Sequence, residues 1–242
     1  MKALFIAWQD IKSRKWAPVG RLTREDDLYK FVYTRGAQEM PESHRFGRML
    51  DLHKVYESEE LFPMFASRIL AKNRPEYEDY LHWLGLSKAR YDALEELART
   101  GGLRATDSLE LFPCPEPTAW KNYEVYFFCR GLRHLHEENQ KRARQMEAGE
   151  RLYLMQDLQN PHDGMALLMR TGDPITIVGY APRYYSAEFT QLIDSTDSNQ
   201  VRVTVEQVNK DAPVQYQLLC KLVSPWPSNF LPCKNKEFEA LA

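Results

Sequence analysis

Asn160, His162 and Asp163 fall in the short run Asn160-Pro161-His162-Asp163-Gly164, and Tyr180 and Arg183 fall in Gly179-Tyr180-Ala181-Pro182-Arg183. A carboxylate only accepts hydrogen bonds, a carboxamide both donates and accepts, and a guanidinium only donates. Gathered in one place, these side chains make a site for an anionic or hydroxylated ligand. The surrounding residues say how they would be gathered. Asn before Pro and Asp before Gly form turns. Two apolar runs follow, Met165 to Met169 and Ile175 to Tyr180, separated by Thr171-Gly172-Asp173-Pro174. That pattern predicts a β-hairpin with a polar tip. Polar groups therefore collect at strand ends, Asn160, His162 and Asp163 at one and Tyr180 and Arg183 at the other.

The elements around the hairpin are readable in the same way. Tyr123 to Cys129 is a strong strand that runs into Arg130-Gly131-Leu132-Arg133-His134. His136 to Ala148 is highly charged and helical; Lys141, Arg142 and Arg144 serve either as a solvated face or as phosphate contacts. Leu152 to Met155 is the strand that delivers the opening turn, and Tyr184 to Ile193 is a helix. Val201 to Val208 alternates as a half-exposed strand, and Gln215 to Val223 closes the sheet. Pro225 to Ala242 is polar, has several prolines, and is expected to be a loosely attached tail.

N-P-x-D-x-x-A followed by G-Y-x-P-R resembles the HIRAN domain over residues 121–224. The resemblance implies a modified OB-like, mostly-β barrel with one or two helices, a class that holds single strands by stacking and backbone tracking. It also implies capture of a single-stranded DNA 3′ end at Arg133, His134, Asn160, His162, Asp163, Tyr180 and Arg183. A free 3′-hydroxyl donates to a carboxylate such as Asp163 and accepts from Asn160, while Arg133 and Arg183 neutralise phosphates. His134, His162 and Tyr180 would supply flat partners for terminal bases. Three positions leave the eukaryotic pattern: His134 and His162 stand where tyrosines are common, and Tyr180 where a histidine is common. Imidazole stacks more weakly than phenol and titrates near neutral pH. For Asn160 and Asp163 the alternative is turn-making alone.

The first half reads as an α+β domain, a small antiparallel sheet plus three helices. Ala3 to Trp8, Trp16 to Leu22 and Tyr29 to Tyr33 are the strands. Thr34 to Arg45 reads as a loop. The helices are expected from a Ser58 N-cap through Leu70, from Pro75 to Gly85, and from Ser87 to Thr100. W-x-D-x-x-x-R-x-W-x-P-V-G-R-L (Trp8 to Leu22) and S-x-E-L-F-P-x-F-A-x-R (Ser58 to Arg68) are similar to the small N-terminal domain of HipA-type toxin kinases. No kinase body follows, so the likeness implies a fold and a partner-binding role and no phosphoryl transfer. The expected domains are 1–105, a Pro-rich linker at 106–120 that contains one short strand candidate, Leu109 to Phe112, the barrel at 121–224 and the tail at 225–242.

Composition narrows the classes. The chain has 242 residues, 43% of them hydrophobic and 27% charged, as in a soluble globular protein. The net charge of −2 supplies no global basic field, so any nucleic-acid contact must come from a local patch. Cys114, Cys129, Cys220 and Cys233 lack metal-site spacing and read as reduced thiols. A Cys129/His134/His136 metal cluster is conceivable only as a minor alternative. No signal peptide or membrane span is legible, which predicts a cytoplasmic protein. No catalytic motif is found, so no enzyme activity, metal or cofactor is expected. The function expected is a nucleic-acid-binding adaptor for single-stranded DNA 3′ ends in bacterial DNA processing or defence, with a protein partner on the N-terminal domain. The alternative is a protein-interaction or regulatory module of toxin–antitoxin or phage-defence type that binds no DNA. A metal-dependent nuclease stands last.

Overall fold

The structure is a computed structural model that describes residues 3–242. The chain forms two compact units. The first takes the chain up to Tyr77, then Ala89–Cys114 and Leu231–Ala242; the second takes Glu78–Lys88 and Pro115–Phe230.

The first unit is built on strands β1 (Ala3–Gln9), β2 (Trp16–Glu25), β3 (Leu28–Tyr33), β4 (Tyr56–Ser58) and β5 (Leu109–Pro113). They form one antiparallel sheet in the order β4-β3-β2-β1-β5. Phe31, on β3, is fully buried and packs on the rings of Tyr33, Phe46 and Phe65. Tyr33 is buried with its hydroxyl satisfied twice: it donates to the Met49 carbonyl at 2.7 Å and accepts from the Phe46 N–H at 2.9 Å. The helices between β4 and β5 are short: α1 (Pro63–Ala66), α2 (Tyr77–Trp83) and α3 (Ala93–Thr100). Of these, α2 belongs to the second unit apart from Tyr77. Asp92 caps α3 by accepting from the N–H groups of Leu94 and Glu95.

Three expectations for this region change and one strand candidate is borne out. Ser58 ends strand β4, because Tyr29 and Phe31 offer it a sheet edge, and the helix starts only at Pro63. The stretch Thr34 to Arg45 holds two 3-10 turns, Arg35–Glu39 and Glu42–His44. The strand candidate inside the expected linker, Leu109 to Phe112, is borne out as β5 (Leu109–Pro113), paired along β1 from Leu4↔Pro113 to Trp8↔Leu109. The tail is anchored: Phe238 sits edge-on to Phe5 at 4.8 Å and to Phe112 at 6.3 Å, and the Leu241 N–H donates to the Tyr33 carbonyl at 2.9 Å. Apolar residues spaced through a polar tail, together with backbone hydrogen bonds to Tyr33 and Arg35, hold it.

The second unit is a curled six-stranded sheet of β6 (Asn122–Phe128), β7 (Arg151–Gln156), β8 (Leu167–Arg170), β9 (Ile177–Tyr180), β10 (Arg202–Val208) and β11 (Leu218–Pro225). Its order is β6-β11-β10-β7-β8-β9, antiparallel throughout. Period-two alternation decides the inside. Tyr123, Val125 and Phe127 of β6, Leu152 of β7, Leu167 and Met169 of β8, and Val203 and Val205 of β10 enter one core. Helix α4 (Glu137–Arg144) carries acids in its first turn and bases in its last, as the helix dipole favours. The Asn139 amide of α4 donates to the Ile177 carbonyl at 2.8 Å, tying this helix to β9. Helix α5 (Ser186–Ser195) adds Phe189 and Leu192 to the core.

The two outer strands meet. Beyond the end of β6, Arg130 bridges Tyr180 of β9: the Arg130 N–H donates to the Tyr180 carbonyl at 2.8 Å, and the Tyr180 N–H returns a bond at 2.9 Å. This single bridge draws the curled sheet towards a barrel. Among the described residues, no helix is long and apolar enough to cross a membrane.

Candidate functional site

The seam between Arg130 and Tyr180 demands close approach, and glycine supplies it. Gly179 has φ +140, and a Cβ there would lie 2.1 Å from the Cys129 sulfur and 2.6 Å from the Arg130 carbonyl oxygen. The first residue of the G-Y-x-P-R motif is therefore a seam residue. The Cys129 thiol donates to the Val178 carbonyl at 3.1 Å, and burial pushes it up to about 12. Cys129 packs the seam as a small apolar side chain.

Tyr180 is fixed at both ends. Its backbone holds the bridge, and its ring lies over Gly131, which turns the chain in the left-handed region at φ +72. Its hydroxyl donates to the Asp157 carboxylate at 2.9 Å. Burial first, then this bond, raise the phenol above its ordinary range, so it remains a protonated donor at neutral pH. The same Asp157 oxygen accepts from the Asn160 amide at 3.2 Å.

From Asn160 the network runs through the loop. Its carbonyl oxygen accepts from the His162 N–H at 3.0 Å and the Asp163 N–H at 3.1 Å. One Asp163 oxygen then accepts from the Met165 N–H at 3.0 Å. The other faces Arg183, whose Nε lies 3.2 Å away. Backbone bonds clamp the loop ends, Asp157 N–H to the Ala166 carbonyl at 2.9 Å and Ala166 N–H to the Asp163 carbonyl at 3.0 Å. Asn160 and Asp163 thus make the turn, and their side chains also link to Asp157 and Arg183. Turn-making uses part of their capacity: a carboxamide has two N–H donors and a carboxylate about four acceptor positions.

Of the residues expected at the site, Asn160, Asp163, Tyr180 and Arg183 come together in this network. His162 contributes its backbone N–H, and its side chain is exposed. Arg133 and His134 lie on the exposed turn that follows Gly131, with Arg133 Nε donating to His134 Nε2 at 3.0 Å. The residue at the centre that was not expected in the site is Asp157. In the sequence it stands only as half of an Asp157/Asp163 carboxylate pair without recognisable nuclease spacing, and as the first acid after strand β7. Cys129, His134 and His136 do not assemble, since Cys129 is buried on Val178 and His136 caps α4 through the Glu138 N–H. Among the described residues, no group of three or more His, Cys, Asp or Glu side chains is placed to hold a metal ion.

Residues 122–226 match the family model of the HIRAN domain. Comparison with curated proteins finds no match. Among solved structures, a protein from Lactobacillus plantarum is similar at 16% identity over 43% of this chain and 98% of its own, with a TM-score of 0.32, a likeness too weak to bear on the fold.

Proposed function

We propose that the second unit is a nucleic-acid-binding module that holds the 3′ end of a single DNA strand. The observation that carries this reading is the network at the seam, Tyr180–Asp157–Asn160 on one side and Asp163–Arg183 on the other. It supports the reading because it joins acceptor, donor and cation where the 157–166 turn meets the end of β9. The Asp163 carboxylate can accept a hydrogen bond from a terminal hydroxyl, and an Asn160 N–H can donate to that hydroxyl's oxygen. Arg183 can exchange Asp163 for the adjoining phosphodiester, and Arg133 adds positive charge on the neighbouring turn. A phosphate in place of the hydroxyl would meet the Asp163 carboxylate and be repelled. His134 and His162, both exposed, and Tyr180 are the flat groups on which terminal bases would stack.

The first unit is read as the partner-recruiting half of an adaptor in bacterial DNA processing or defence. Its likeness to HipA-type N-terminal domains rests on the sequence motif. Fluorescence anisotropy tests the end-binding reading. A labelled strand with a 3′-hydroxyl should bind at least about tenfold more tightly than its 3′-phosphorylated twin, and Asp163→Ala should abolish the difference. Equal affinity of the two strands for the unaltered protein would overturn it.

A further inference from the structure

The barrel carries a second cluster, on its outward surface, which the end site does not use. Directly opposed residues of antiparallel strands project to the same face. Tyr153 of β7 opposes Arg170 of β8, and Arg151 of β7 opposes Thr204 of β10, placing Arg202, two residues from Thr204, on that face as well. Tyr153 collects the cations. The Arg151 guanidinium lies 4.9 Å and the Arg170 guanidinium 5.0 Å from the centre of its ring. Arg151 and Arg202 both reach the Asn199 carbonyl, at 3.4 and 3.5 Å.

What these arginines lack is an acid. Their hydrogen bonds go to carbonyls, Arg170 to that of Thr171 at 2.9 Å, and among the described residues none of the three is in an ion pair. Glu150, the acid next to Arg151 in sequence, pairs with Arg142. The Arg151 Nε is buried with no hydrogen-bond partner, an unsatisfied donor beside a cleft of about 210 Å³ lined by Arg151, Tyr153, Arg170 and Asn199. Three unneutralised guanidiniums on one face of a chain with net charge −2 form a local basic field. Guanidiniums held on an aromatic ring are pre-oriented, so less side-chain freedom is given up when they bind phosphate.

The face also leads somewhere. Tyr180 opposes Leu168 on β8, and Leu168 opposes Met155 on β7, in line beside the Arg170–Tyr153 pair. Tyr180 of β9 and Arg202 of β10 are three strand spacings apart, about 14 Å across the sheet, and offset along the strands by the step from Met155 to Tyr153, within the reach of a few nucleotides. Exposed Met155 and Tyr153 supply apolar and aromatic surface along the way.

We propose that Arg151 and Arg170, held on Tyr153, together with Arg202, which shares the Asn199 carbonyl with Arg151, form a tracking surface for the phosphodiester backbone of a single nucleic-acid strand. It contacts the strand's interior and makes no use of its end. This deepens the nucleic-acid reading of the second unit, yet it is separable from end recognition. The probe is a circular single-stranded DNA, which has no terminus to offer the seam site. Wild-type protein should bind it, with an affinity that falls as salt rises. Replacing all three arginines by glutamine should weaken binding about tenfold or more at moderate salt. The slope of log K against log[salt] should fall by about 0.7 for each phosphate that is no longer neutralised, about 2 in all. The triple lysine variant should keep most of the slope, which separates charge from any misfolding of the glutamine variant. Circular binding that persists while the 3′-hydroxyl preference is absent would sink end recognition alone and support the surface. No binding of the circle by wild type, or an unchanged slope in a folded glutamine variant, would overturn the tracking surface.

Discussion

Gly179→Ala is the sharpest test of how the seam is built. The substitution adds one methyl at a backbone position with φ +140, where the new Cβ would stand 2.1 Å from the Cys129 sulfur and 2.6 Å from the Arg130 carbonyl oxygen. Cys129 is buried, and the carbonyl oxygen accepts from the Tyr180 N–H in the bridge, so neither can move without opening the seam. Backbone strain of this kind costs about 1–3 kcal/mol. Overpacking adds about 1–3 kcal/mol, so the expected loss is about 2–6 kcal/mol, realised largely as local opening. The assay is amide hydrogen exchange. The Arg130 and Tyr180 amides should lose protection in Gly179→Ala, while amides in the middle of β6 and β11 lose much less. Adding Cys129→Ala removes the sulfur and leaves the carbonyl contact, so it should restore only part of the protection. If Gly179→Ala exchanges at the wild-type rate at both amides, the seam does not depend on this close approach and the reasoning is refuted.

Two further outcomes follow from the packing and the titrating groups. Phe238→Ala should destabilise the first unit by about 1–3 kcal/mol, because the ring packs edge-on to Phe5 and Phe112. A thermal melt of that unit indistinguishable from wild type would show that the tail is held by its backbone bonds alone. Raising the pH should destabilise the second unit above about pH 9. The Cys129 thiol ionises from its ordinary value of 9.0 in the unfolded chain but not until about 12 in the folded one. In that window the folded state holds the extra proton, so stability is complete below pH 9 and falls as pH climbs. Cys220 and Tyr180 shift the same way. Urea midpoints that stay flat or rise up that range would contradict it, and Cys129→Ala should flatten the decline.

The elements were more legible than their connections. Alternation in Tyr123 to Cys129 and in Val201 to Val208 marks strands because each presents one face to a core, and β6 and β10 lie there. The hairpin at Leu167–Arg170 and Ile177–Tyr180 is visible because turn formers bracket two apolar runs. What local pattern cannot carry is the pairing of distant segments. The Arg130–Tyr180 bridge, the Tyr180–Asp157 bond and the tail's hold on Phe5 and Tyr33 each join residues with no shared period. Ser58 shows the converse: its helix-cap signal is real, but a free edge of β3 offered a stronger competitor. At the site, Asn160, Asp163, Tyr180 and Arg183 were readable as polar residues at strand ends. Asp157, the acceptor joining two of them, was legible only as a possible carboxylate partner of Asp163, because nothing local shows that a tyrosine 23 residues on will donate to it.

The most direct measurement of the central claim is a nuclear magnetic resonance titration of the full chain with a short single-stranded DNA. With a 3′-hydroxyl, the Asn160 side-chain NH₂ and the backbone amides of His162, Asp163 and Met165 should shift in a saturable way. With a 3′-phosphate on the same oligonucleotide, these resonances should barely move. Equal shifts with both ligands, or shifts confined to residues outside the 157–166 loop, would contradict the account.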